Sequence, residues 1–117
     1  MRIHTVQLAR SKNLDVPVID VTVKSAEGKA RLVAPTWDMV RGHKSGKIDD
    51  ETYTKLYMEI LEQNEQRILD AFAFYSTLTQ KLALACYCRP GAFCHRVLLA
   101  NWLAEKLGWE YAGEIET

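Results

Sequence analysis

Leu82-Ala83-Leu84-Ala85-Cys86-Tyr87 is an apolar run with no polar interruption, and a Pro90-Gly91 turn follows it. A strand with one wet face alternates. A run without alternation suits a central strand of a parallel sheet, covered on both faces. From Cys94 to Leu107, the positions Val97, Leu98, Asn101, Trp102, Ala104 and Leu107 fit one helix, and Gly108 stands at the C′ position. The segment therefore reads as a strand over 82–87, a loop, and a helix opening near Cys94. A parallel neighbour needs a crossover of this kind, which points the chain toward an α/β fold.

The remaining segments agree. Residues 2–8 read as a short strand carrying Ile3, Val6 and Leu8, and 9–15 as a polar loop. Val16 to Val23 is rich in β-branched residues and reads as a buried strand, with Asp20 as its odd member. Residues 26–34 form a charged loop with a short strand at Ala30–Val33. Thr36 is a good N-cap for a short helix from Trp37 to about Lys44, and Gly46 sits where it ends. Asp49-Asp50-Glu51 suits the positive end of a helix dipole. Tyr53, Leu56, Tyr57, Ile60, Leu61, Ile68, Phe72 and Tyr75 continue three-and-four spacing to about residue 75, with a polar gap at Asn64. Residues 76–81 form a loop, and Trp109–Ala112 is a last strand. Strand, strand, helices, strand, helix, strand predicts a single three-layer, Rossmann-like α/β domain over 1–117 with a mainly parallel sheet.

The 117 residues suffice for one core and not two. Fifteen basic and fifteen acidic residues cancel, which argues against a nucleic-acid or membrane-surface binder. Met1 to Val6 lacks the apolar core of a signal peptide, and no stretch approaches the roughly 20 apolar residues of a membrane span. Three cysteines, an odd number clustered between 86 and 94, argue for a reducing, cytoplasmic setting.

That cluster is where chemistry is expected, because ligands of parallel sheets lie beyond the carboxyl ends of strands. A helix N-terminus offers free N–H groups to an anion. Cys94 at that terminus, with His95 and Arg96 beside it and Arg89 in the preceding loop, can have its thiolate stabilised. Gly91 lets backbone approach a ligand. The spacing is not that of a phosphatase loop, in which an arginine follows the cysteine by about five residues. Cys86, Cys88, Cys94 and His95 also make an acceptable Cys₃His composition for zinc, although adjacent residues at a helix start diverge. Burial as a small hydrophobe is the simplest role for Cys86. Arg96 can instead form an ion pair with Glu105 or Asp20, and Asp20 can face solvent by strand alternation.

Trp37 can line a pocket or stack on a planar ligand. Tyr53 and Tyr57, one turn apart, suit core packing with hydroxyls at the rim, from which Tyr53 can reach a ligand. The run Arg41 to Lys47 is basic and can cover an anion.

Leu84-Ala85-Cys86-Tyr87-Cys88, a loop and Cys94-His95-Arg96 entering a helix resemble the signature of the domain-of-unknown-function family 488. Val18-Ile19-Asp20-Val21 resembles that family's strand with an aspartate near its end. Ala34 to Val40, with Gly46-Lys47-Ile48 and Tyr53, looks like a shorter branch associated with phage and bacterial genomes. The resemblance implies a Rossmann-like α/β fold without a settled activity, and Asp20, Cys86, Cys94, His95 and Arg96 match. Larger members often carry an acidic residue where this chain has Cys88, and the substitution favours metal or redox chemistry here.

The leading expectation is a domain that binds a phosphate-bearing small molecule such as a nucleotide. Arg89, Arg96, Gly91, Trp37 and Tyr53 would hold it, and Cys94, His95 and Asp20 would supply any chemistry. No cofactor is expected in that reading. The rivals are a non-catalytic module that sequesters a ligand or protein, and a zinc or redox thiol protein. Oligomeric state is left open.

Overall fold

A computed structural model describes residues 1–116. Four strands form one all-parallel sheet: β1 (Arg2–Gln7), β2 (Val18–Asp20), β3 (Lys81–Cys86) and β4 (Glu110–Ile115), in the spatial order β2-β3-β1-β4. The apolar run is β3, an interior strand whose residues Leu82 to Ala85 are fully buried. It lies between β1 and the short β2, as its lack of alternation requires.

Helices α1 (Trp37–Lys44), α2 (Asp50–Gln63), α3 (Glu65–Tyr75) and α4 (His95–Leu107) complete the chain. Thr36 caps α1 by accepting from the Met39 N–H at 3.1 Å, and Asp49 caps α2 by accepting from the Thr52 N–H at 2.8 Å. Gly108 ends α4 at φ +69°, a left-handed conformation that costs a residue without Cβ nothing.

The direction of each crossover decides which face it covers. From β1 to β2 the chain steps one way across the sheet, and from β2 to β3 and from β3 to β4 it steps the other way. Right-handed crossovers then place the first connection on the face opposite the helices. The core divides accordingly. Ile3, Leu82 and Leu84 pack with Tyr57, Leu61, Ile68, Phe72, Leu99 and Leu103. Val6, Ala83 and Ala85 pack with Val18 of β2 and with Leu8, Leu14 and Val16 from the first connection. The result is a three-layer, Rossmann-like α/β fold with one thin layer, made by a single 3₁₀ turn at Leu8–Arg10 and the loop after it. Among the described residues no helix is long and apolar enough to cross a membrane.

Three local expectations need correction. The segment Gly28–Val33 is a 3₁₀ helix and not a strand. The pattern read as one helix to residue 75 is two helices that meet at Asn64, whose φ of −114° leaves the helical region and whose side-chain amide donates to the Ile60 carbonyl. The strand expected over 16–23 is reduced to Val18–Asp20. Pro17 cannot donate to a ladder, and Asp20 turns the chain by accepting from the Thr22 N–H and hydroxyl and from the Ser25 hydroxyl.

Candidate thiol site

Beyond the carboxyl end of β3, the sulfurs of Cys86, Cys88 and Cys94 lie within 4.8 Å of one another. β3 supplies Cys86, the first residues after it supply Cys88, and the residue before α4 supplies Cys94. Cys86 and Cys94 are buried and Cys88 is half-buried. Cys94 is the α4 N-cap, yet its side chain makes no capping hydrogen bond. All three line a cavity of about 490 Å³, together with Trp37, His43, Lys44, Tyr53, Phe93, Tyr87 and Lys24.

Arg96 lies beneath the sulfurs, 1% exposed. Its Nη1 donates to Cys86 Sγ at 2.8 Å, to the Cys88 carbonyl at 3.0 Å and to Cys94 Sγ at 3.6 Å. Its Nε and Nη2 donate to Glu114 at 3.1 and 2.7 Å. Burial opposes the charge, but Glu114 and the sulfurs hold the guanidinium pKa above its ordinary value.

The sulfurs divide their protons unequally. Hydrogen bonds from Cys86 and then Cys94 lower the Cys88 pKa to about 3, with Arg96 and Lys44 adding to the effect against burial. Cys94 moves the opposite way: its hydrogen bonds with Cys86 and Cys88, and then burial, raise its pKa. The pull is thus toward a thiolate at Cys88 and a retained proton on Cys94, the reverse of what a helix-terminal Cys94 alone suggests.

His95 is buried, with Nε2 at 2.8 Å from the Val21 carbonyl oxygen. A carbonyl only accepts, so Nε2 carries the hydrogen. Nδ1 then faces Cys94 Sγ at 3.8 Å as an acceptor. Burial lowers the imidazole pKa, and the ring is neutral.

The expected site is partly assembled. Cys94, His95, Trp37 and Tyr53 line the cavity. Trp37, 44% exposed, carries Arg41 over its ring at 5.2 Å. Tyr53, 5% exposed, packs edge-on against His43 and Phe93. Its hydroxyl has no hydrogen-bond partner among the described residues, and burial, then Cys94, raises its pKa.

The other candidate residues lie elsewhere. Arg96 is engaged by Glu114 and the sulfurs, and its ion-pair partner is Glu114 in place of Glu105 or Asp20. Arg89 and Gly91 are exposed and lie outside the cavity lining. Asp20 is also outside that lining, its carboxylate tied into the turn after β2. The group of the Cys₃His set that clusters is the three sulfurs; His95 is outside it, with Nε2 donating to Val21 and Nδ1 3.8 Å from Cys94 Sγ. Reading the sequence did not single out Lys24, Tyr87, Phe93 or Glu114. Only the basic run Arg41 to Lys47 signalled His43 and Lys44.

Neither the curated proteins nor the solved structures compared with this chain match it. A protein-family model described as the active DUF488-N3 subclade (DUF488-N3a) matches residues 9–107, which take in β2, β3, all three cysteines and α4. The chain belongs to the DUF488 family.

Proposed function

We propose that the cavity binds a planar, phosphate-bearing small molecule of the nucleotide class, with the Cys88 sulfur facing it. The observation that carries this reading is the coincidence, in one cavity, of the half-buried Cys88 sulfur, the aromatic rings of Trp37 and Tyr53, and the ammonium groups of Lys24 and Lys44. The Tyr53 hydroxyl, which makes no hydrogen bond to another described residue, is available to a polar group of the ligand. Trp37 and Tyr53 offer aromatic surfaces to a planar group. Lys24 and Lys44, which also line the cavity, take the phosphate in place of Arg89 and Arg96. Cys94 and His95 lie behind Cys88, and the Cys94 thiol steadies its negative charge. Free thiols of this kind suit a reducing compartment such as the cytoplasm.

The test is protection from alkylation. Mononucleotides are screened by thermal shift, and iodoacetamide labelling is mapped with and without those that bind. The expected result is preferential labelling of Cys88, suppressed by a nucleotide that also raises Tm. No binding across the panel overturns the ligand class. Binding that Cys88→Ser leaves intact, with no chemical change in the ligand from either protein, means a sequestering module instead.

The three sulfurs also favour a second reading. A zinc ion sits about 2.3 Å from thiolate sulfur, and three sulfurs within 4.8 Å of one another need little movement to surround one. One zinc per chain after purification without chelator, with Cys88 resistant to iodoacetamide until the metal is removed, would replace the free-thiolate reading.

A further inference from the structure

We propose that Cys88 and Cys94 form a working dithiol–disulfide pair that exchanges with a low-molecular-weight disulfide, Cys88 attacking and Cys94 resolving. The inference rests on the reading above that the three sulfurs are free of metal, and Cys88, half-buried where Cys86 and Cys94 are buried, is the sulfur an incoming disulfide reaches. A lone nucleophile needs no second thiol, yet two thiols lie within 4.8 Å of Cys88.

Their settings select Cys94 as the resolving partner. Cys86 is held in the ladder opposite Gln7 and receives the shortest Arg96 hydrogen bond to sulfur. Bridging it to Cys88 would distort the end of β3. Cys94 is outside the ladder, and its thiol makes no capping bond, so using it leaves the start of α4 intact. The chain between Cys88 and Cys94 has neither helix nor strand, and Gly91 there has φ +81° with open space around its Cα. A shift of this connection can bring the two sulfurs to the roughly 2.05 Å of an S–S bond.

In the first step Cys88 Sγ attacks one sulfur of RS–SR. A Cys88–SR bond forms, the R–S bond to the other sulfur breaks, and RS⁻ leaves with the electron pair. In the second step Cys94 Sγ attacks the Cys88 sulfur. Its proton passes through His95 Nδ1, 3.8 Å away, to the second departing thiolate, which leaves as RSH. The two protein thiols lose two electrons, and RSSR gains them. Arg96, donating to Cys94 Sγ, faces the negative charge that builds there.

The experiment uses the full chain, reduced and then equilibrated with oxidised and reduced glutathione. Intact mass and peptide mapping are the readouts. The expected product lacks two hydrogens and carries a Cys88–Cys94 bridge, and Cys94→Ser stops at a Cys88–glutathione mixed disulfide. Cys86→Ala still forms the bridge. A Cys86–Cys88 bridge, or wild-type protein that accumulates only the glutathione adduct, overturns the proposal. The wild-type map decides the matter even if a variant fails to fold. Nucleotide thermal shifts on the same reduced protein report separately on the ligand reading. Preferential iodoacetamide labelling of Cys88 without a bridge would leave the nucleophile standing and remove the pair.

Discussion

Arg96 Nη2 and Glu114 Oε2 stand 2.7 Å apart, joining the first turn of α4 to the last turn-out of the edge strand β4. The carboxylate fixes the guanidinium so that its remaining Nη1 points at the sulfurs. A residue of the edge strand, distant in sequence from the cysteines, thereby orients the charge beneath the thiols.

Glu114→Leu leaves a buried cation unpaired and should cost about 3–5 kcal/mol. Urea denaturation checks this. Replacing both partners, Arg96→Met with Glu114→Leu, should recover much of the loss, because apolar residues fill such a site without a desolvation penalty. Additive losses in the double variant would show that the pair is not an interacting unit.

Reactivity of Cys88 should be nearly flat from pH 5 to pH 8, since its pKa lies near 3. An ordinary thiol gains about tenfold per pH unit over that range. Iodoacetamide rates mapped to Cys88 read this directly. Cys86→Ala removes the largest of the hydrogen bonds that lower its pKa and should bring back part of a rising profile. A tenfold rise per unit in the wild type would sink the assignment of the charge to Cys88.

Much of the frame could be read from the chain because each signal was local. The apolar run fixed β3 as interior, Gly108 marked the end of α4, and Thr36 and Asp49 announced their helices. The apolar spacing resumes in phase at Ile68 after the polar gap at Asn64, so two helices read as one. The cysteine cluster was legible as a site, but its proton distribution was not. That depends first on how the three sulfurs bond to one another and then on Arg96, which Glu114 orients from beyond a register shift between β1 and β4. No pattern within the motif encodes such a partner.

Acid should weaken the fold partly through His95. Burial lowers its folded pKa, so below the unfolded value of about 6.5 the unfolded chain binds the proton more readily. This contribution is complete above pH 6.5 and is lost as pH falls below it. Cys88, depressed in the folded state, acts in the same direction from about pH 9 down toward 3. His95→Gln, whose amide can still donate to the Val21 carbonyl, removes only the histidine part. The variant's Tm should therefore fall less than the wild type's between pH 6.5 and 5. Parallel curves would mean that His95 is charged in the folded protein.

Tyr57 tests the core behind the site. Its hydroxyl donates to the Val33 carbonyl at 2.7 Å, fastening α2 to the end of the 3₁₀ helix, and its ring meets His95 edge-on. Burial, then the neighbouring Tyr53, holds its phenol pKa well above the ordinary value, so the hydrogen stays on oxygen throughout the working range. Tyr57→Phe keeps the ring and leaves a buried carbonyl without its donor, which should cost about 1–3 kcal/mol. Chemical denaturation gives the number. Because the ring still packs on His95, Cys88 alkylation should keep its wild-type rate. A variant of unchanged stability would show that water satisfies Val33, and one with altered Cys88 reactivity would show that the hydroxyl acts on the thiol site through the backbone.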